Sequence, residues 1–265
     1  MPVGIERSGG ASQPQLRNTS LFGDRYKMIK ATYIHHMGDD ITVVNSARVS
    51  FGKESRYYWG DEDEIGYHNS EWEEATFLLD EDKKLIHYLA KHNHKSPFNH
   101  AFVTYHVKAP IFVARQLQKH EYMPWNEISR RYVDSEPEFY TPEVWRGRSE
   151  DKKQGSSGTV GMIDVNGKFP LSATIVQSLS DGKALEAYRN FIDAGVAPEQ
   201  ARMVLPQSTM TEWYWSGSLY AFAKMCGLRL QDDAQYETRL VAEQIENSMM
   251  KLYPTSWEAL RMYAE

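Results

Sequence analysis

The order in which the two hydrophobic periodicities occur constrains this fold most. Stretches with alternating or β-branched apolar character come early, at residues 28–37, 41–44 and 101–107. Gly38-Asp39-Asp40 reads as a turn between the first two. Helical spacing marks residues 82–92 and 111–121, the latter opened by Pro110 at a position where a first helical turn tolerates proline. The last third is almost wholly helical. Residues 175–194 stop at Gly195, a C-cap signal, and a short helix runs from Pro198 to Pro206. Residues 219–228 and 233–252 follow, and Thr255-Ser256-Trp257-Glu258 reads as a capping box opening a final helix. Strands first and helices last argue for an α+β fold, with early strands forming a sheet packed by a mostly helical C-terminal half, against a doubly wound α/β sheet.

Residues 1–27 are Gly-, Ser-, Gln- and Asn-rich and read as a flexible tail. Residues 51–72 read as a long irregular loop. Residues 28–265 then read as a single domain, with an exposed loop or hairpin inserted near 149–171, where Gly, Ser, Lys and Asp abound. The chain carries a net charge of −6, so polymeric nucleic acid, which favours basic surfaces, is not the expected partner. No apolar run approaches the ~20 residues of a membrane span. The single cysteine, Cys226, permits no internal disulfide and fits a reducing, cytoplasmic setting.

Several common site patterns fail. Gly155, Gly158 and Gly161 have the wrong spacing for a dinucleotide loop. Gly161…Gly167-Lys168 is one residue too long for a phosphate loop, and Phe169 stands where Ser or Thr is needed. His120-Glu121 lacks the second histidine of a zinc helix, and His92, His94 and His100 lack further ligand-type partners, so no metal site is expected.

The densest polar chemistry is RQLQKHEYMPWNEISRRY, residues 115–132. Arg115 and Lys119 share one helical face, and Pro124 should end that helix. Asn126, Glu127, Ser129, Arg130 and Arg131 then fall on the following turn. Arginine forks match phosphate geometry, while Asn, Glu and Ser read the edge of a base. A solvated, salt-bridged helix end would also produce such a run; the apolar flanks PIFVA and EFYTPEVW weigh toward burial.

This stretch resembles the signature of the flavin-dependent thymidylate synthases, matching it at His120, Asn126, Glu127, Ser129 and Arg131. SARVSF (46–51), SPFNH (96–100), QARMVLP (200–206) and LRLQDDAQYE (228–237) resemble family segments in the same order. The resemblance implies a homotetramer with FAD held between subunits. The reaction it implies is reductive methylation of deoxyuridine monophosphate (dUMP), with methylenetetrahydrofolate as carbon donor and NADPH as reductant. Gln116, Glu127, Ser129, Arg130, Arg131, Arg202 and Arg229 would contact the nucleotide, and Arg229, Ser129 and His94 would serve catalysis. Arg229, always cationic, would stabilise negative charge on the pyrimidine. Ser50, Ser96, Lys119, His120, Glu121, Tyr122, Ser218 and Lys224 would line the flavin, with His94 and the folate nearby. Cys226 lies outside the substrate motif and is a poor nucleophile candidate.

The flavin side departs from the family pattern. Lys119 and Glu121 replace two arginines, Pro124 a serine, and Ser218, Tyr220, Lys224 and Asp233 stand at further family contact positions. Two alternatives follow: trapping of the methylene carbon by water to give a hydroxymethyl nucleotide, or a nucleotide-binding homologue without catalysis.

Overall fold

The computed structural model describes residues 28–59, 66–67, 76–133, 135–149, 155–165, 167 and 169–263. The expected tail, 1–27, and most of the loop after residue 59 lie outside these. In chain order the strands are β1 (Lys30–Met37), β2 (Tyr58–Trp59), β3 (Gly66–Tyr67), β4 (Thr76–Phe77), β5 (Phe102–Pro110), β6 (Trp125–Glu127), β7 (Arg146–Arg148), β8 (Ser156–Thr159), β9 (Met162–Val165), β10 (Phe169–Ser172) and β11 (Met210–Ser218). The helices are α1 (Asp40–Arg48), α2 (Asp80–Lys91), α3 (Ile111–Leu117), α4 (Ala173–Asp193), α5 (Pro198–Ala201), α6 (Leu219–Arg229), α7 (Tyr236–Leu252) and α8 (Pro254–Tyr263).

The main sheet is antiparallel with order β1-β5-β11-β6. Alternation fixes its faces. Val103, Tyr105, Val107 and Ala109 of β5, with Trp213 and Trp215 of β11, are all at most 1% exposed and point one way. Leu219, Phe222, Met225 and Cys226 of α6, Val241 and Ile245 of α7 and Trp257 of α8 share their core. Trp215 and Tyr105 both meet the Phe222 ring edge-on, with centroids 5.3 Å apart. Burying each such ring stabilises the fold by about 2–3 kcal/mol. On the opposite face the Thr104 and Ser216 hydroxyls share a 2.9 Å hydrogen bond, and His106 meets Glu212 at 3.1 Å.

The structure differs from the expected elements in four places. Residues 41–44 are helical, because Asp39 caps α1 with a box: its side chain accepts from the Thr42 N–H at 3.0 Å, and the Thr42 hydroxyl accepts from the Asp39 N–H at 3.2 Å. A strong cap outweighs the β preference of Thr-Val-Val. The helix at 111 stops at Leu117, so Lys119 is past its end, and Asn126 and Glu127 sit on β6 rather than a turn. The unanticipated strand β11 is central to the sheet. Last, α8 starts at Pro254, and its first amides are capped from far away, with the Thr255 and Ser256 N–H groups each donating to the buried Asp40 carboxylate at 2.9 Å.

Two more links join the same ends of the chain. The Tyr253 hydroxyl donates to the Met37 carbonyl, and the Gln244 side chain accepts from the Ala31 N–H while donating to the Ile29 carbonyl. In the region of the expected insertion, β9 and β10 pair as a hairpin with Met162 and Phe169 exposed. Among the described residues no helix is long and apolar enough to cross a membrane, and no group of acids, histidines and cysteine has metal-site geometry.

Candidate active site

The end of α3 is where the signature residues first come together. Beyond Leu117 the chain turns, Tyr122 takes the left-handed conformation (φ 60°) while 91% exposed, and Pro124 leads into β6. A bulky residue in that region carries strain of about 1–2 kcal/mol, which the surrounding structure must hold in place. The turn swings His120 against the end of α6. There Arg229 Nε donates to His120 Nε2 at 3.1 Å, and Arg229 Nη2 donates to the Gln116 carbonyl at 3.2 Å. Burial, then the charges of Arg229 and Lys224, push the imidazole pKa down to about 4. His120 is therefore neutral at physiological pH, with Nε2 accepting from Arg229 and its proton on Nδ1. Burial also lowers the Arg229 pKa. Among the described residues no carboxylate lies within 4 Å of the side-chain nitrogens of Lys119, Lys224 or Arg229. Among the described residues these cations therefore set up a local positive field.

The Gln116 side chain is tied to the start of α7. Its Nε2 donates to Gln235 Oε1, and its Oε1 accepts from the Thr238 hydroxyl at 3.3 Å. Gln235 Nε2 in turn donates to Glu237 at 3.2 Å. Glu237 is 3% exposed and receives both oxygens' worth of charge-assisted bonds from Arg146 Nη2, at 2.7 Å each, while the Arg146 guanidinium lies 4.7 Å from the Tyr236 ring centre. Gln235, Glu237 and Thr238 belong to the site's framework, yet composition and spacing gave no sign of them. The one signal was their place within or beside the LRLQDDAQYE segment.

The rest of the signature forms a second group. β6 pairs with β11 in a register that sets Glu127 opposite Trp213, and Trp125 stacks on Trp213 with centroids 4.3 Å apart. Both Glu127 oxygens accept, from the Thr211 hydroxyl at 2.7 Å and from Trp125 Nε1 at 3.2 Å. Ser129 starts a turn, its hydroxyl accepting from the Arg131 N–H at 3.3 Å, and Arg130 donates to the Ser135 carbonyl. Arg131 and Arg202 meet at one residue: Arg131 Nε pairs with the Glu199 carboxylate at 3.3 Å, and Arg202 Nε donates to the Glu199 carbonyl at 3.2 Å. The two exposed guanidiniums thus share an anchor.

A third group surrounds the start of α6. Ser218 caps this helix, its hydroxyl accepting from the Ala221 N–H at 3.2 Å while donating to Asn99 at 2.6 Å. The Tyr220 hydroxyl donates to Asn93, itself left-handed at φ 56°, and Lys95 lies 5.4 Å from the Tyr220 ring centre. His94 stacks on Tyr88 at 6.0 Å, and Ser96 follows on the same exposed loop. Ser50 is exposed just after α1, whose Arg48 is tied to the buried Asp82 at 2.5 Å. Glu121 makes no ion pair with Lys119. A cavity of about 390 Å³ lies beside this framework, lined by Tyr140, Pro142, Arg146, Tyr236 and Leu240 among others, and Arg146 links it to Glu237.

Residues 32–255 match the family model described as thymidylate synthase complementing protein. A flavin-dependent thymidylate synthase of Thermus thermophilus is 37% identical over 226 residues, covering 85% of this chain and 73% of the relative. Another from Thermosipho africanus is 35% identical over 228 residues, covering 86% and 89%. A crystal structure of a UMP/dUMP methylase, PolB from Streptomyces cacaoi, bound with 5-Br dUMP, superposes with a TM-score of 0.70 at 29% identity, covering 89% of this chain and 95% of that one.

Proposed function

This chain belongs to the thymidylate synthase complementing protein family, and on that premise we propose that it converts dUMP to thymidine monophosphate with FAD, taking the carbon from methylenetetrahydrofolate and electrons from NADPH. The observation that carries the reading is the meeting of Gln116, His120 and Arg229 beside the charge of Lys224. The donor set fits the groups to be bound. Lys119, Lys224, Arg130, Arg131 and Arg202 offer cations to the phosphates of a mononucleotide and a dinucleotide, and the His120 Nδ1 proton is a neutral donor beside them.

In this reading Arg131 and Arg202, braced by Glu199, hold the nucleotide phosphate with Arg130. Glu127 and Ser129 face the sugar and base, and Gln116 places a further polar contact. Arg229, gripped by His120 and the Gln116 carbonyl, keeps a fixed direction with its remaining N–H groups free. A preoriented cation costs no reorganisation when negative charge grows on the pyrimidine ring, and there it stabilises the transition state. Neutral His120 keeps the Nε2 lone pair that accepts from Arg229, which a protonated imidazole would lose. Ser50, His94, Ser96, Lys119, Glu121, Tyr122, Ser218 and Lys224 border the flavin and folate. Bound flavin supplies the hydride that completes the methyl group. Cys226 takes no part: it is fully buried, and burial pushes its thiol pKa up, so no thiolate is available.

We assign the whole of residues 28–265 to one catalytic unit, acting in the cytoplasm as a homotetramer. The exposed positions of the three groups favour a site completed by neighbouring copies. Mass spectrometry of the product formed from FAD, NADPH, methylenetetrahydrofolate and dUMP tests the reaction. Thymidylate is the expected mass; a hydroxymethyl nucleotide, or no product, overturns the proposal.

A further inference from the structure

The hydrogen bonds running from Arg146 to Gln116 have a direction, and the direction has a source. A carboxylate accepts and never donates. Glu237 is buried, and both its carboxylate oxygens accept from the Arg146 guanidinium. Gln235 must therefore turn its amide nitrogen toward Glu237, as the 3.2 Å contact has it. Its oxygen then faces Gln116, and Gln116 can meet it only with its own nitrogen. The Gln116 oxygen is left to accept from the Thr238 hydroxyl. Each amide has two orientations of nearly equal shape, and one buried charge selects among them in series.

We propose that Glu237 is a positioning residue that fixes the polarity of Gln116, so that Gln116 meets the nucleotide as a hydrogen-bond donor. This rests on the reading that Gln116 contacts dUMP. With one N–H on Gln235 and its oxygen on Thr238, Gln116 has one N–H left to offer. Its partner on the nucleotide is an oxygen acceptor, a phosphate or a ring carbonyl. The same residue carries the backbone carbonyl that Arg229 grips, so the relay also steadies the last turn of α3, on which the catalytic cation rests. Without Glu237 the amide chain can reverse, and an oxygen would face the nucleotide's own oxygen.

The test is dUMP affinity of the FAD-bound enzyme, measured by calorimetry in a double-mutant cycle. Glu237→Gln keeps the shape but can donate, so it should weaken dUMP about tenfold in the native background, one hydrogen bond's worth, and less than twofold when Gln116→Ala is already present. Glu237→Asp, shorter but still accepting only, should bind dUMP better than Glu237→Gln. A purely structural role, loss of the buried Arg146 pair, predicts the same loss of affinity whether or not Gln116 is present. Equal losses in both backgrounds, or the opposite ranking, would overturn the relay. Thr238→Val repeats the cycle without touching the buried charge, freeing the Gln116 oxygen to turn. It decides the matter if the position-237 variants fail to fold. If Gln116→Ala alone leaves dUMP affinity intact, Gln116 does not contact the nucleotide, and the relay falls with that assignment while the meeting of His120 and Arg229 stands.

Discussion

Arg229→Ala removes three things at once. It deletes the 3.1 Å donation to His120, the 3.2 Å donation to the Gln116 carbonyl, and the guanidinium N–H groups left facing outward. The first two orient the side chain. The third is the part proposed to meet charge on the pyrimidine. Losing a preoriented, charge-assisted contact costs about 2–4 kcal/mol, or roughly 30- to 900-fold in kcat/KM. Arg229→Lys restores the charge without the fork. A single ammonium on a flexible stem does not span both acceptors, so an intermediate loss is expected. A second readout separates the site's electrostatics from its kinetics. With the Arg229 charge gone, the His120 pKa should climb from about 4 toward, but not reach, its ordinary value, because burial is the larger cause and remains. Steady-state kinetics with dUMP and an NMR titration of His120 measure the two effects. Kinetics within twofold of the native enzyme, with an unmoved His120 midpoint, would refute both the catalytic assignment and the described contact.

The depressed His120 pKa also shapes stability. The folded chain resists protonation down to about pH 4, whereas the unfolded chain takes up the proton near pH 6.5. Its contribution is present in full above about pH 6.5 and is lost as pH falls toward 4, amounting to about 1–2 kcal/mol once solvent screening of this partly exposed ring is allowed for. Urea unfolding at pH 7.5 and 4.5 should show that slope, and His120→Gln should remove it; an unchanged slope counts against the neutral imidazole. Asp40→Ala strips the cap from α8 and leaves the buried Ser256 amide without a partner, at a cost of about 2–4 kcal/mol. A lower urea midpoint with an unchanged m value is the expected result, and an unshifted midpoint would show that the cap contributes nothing.

What the sequence made legible was local or carried by ordered motifs. The helices α4, α6 and α7 fall where the sequence places them, and Gly195, at φ 79°, terminates α4's segment as the glycine signal indicates. Errors arose where a distant partner decides. Thr255 reads as a helix cap because its neighbours fit the box, yet Asp40, 215 residues away, supplies the carboxylate. Thr42-Val43-Val44 reads as strand by propensity, while one aspartate at the preceding cap makes it helix. The strand β11 alternates buried Trp213 and Trp215 with exposed Tyr214, but its aromatic residues are equally at home in a helix. At the site, Arg202 and Arg229 look like ordinary surface arginines until the fold sets them on Glu199 and His120. Glu237 escaped notice for the same reason: its importance lies in the order of bonds it imposes, which no spacing records.

The links that join the two ends of the chain set a timetable for its making. β1 and α1 leave the ribosome early, but Gln244, Tyr253 and the amides of α8 that complete their bonding arrive more than 200 residues later. At 5–20 residues per second the early strand waits on the order of 10–40 s for its last partners. For most of that interval the apolar face of β5, once made, lacks the late helices α7 and α8 that complete its core. The final helix thus serves as a completion check, for a polypeptide that stops short of it leaves the Asp40 carboxylate without the amides it caps and the core without Trp257.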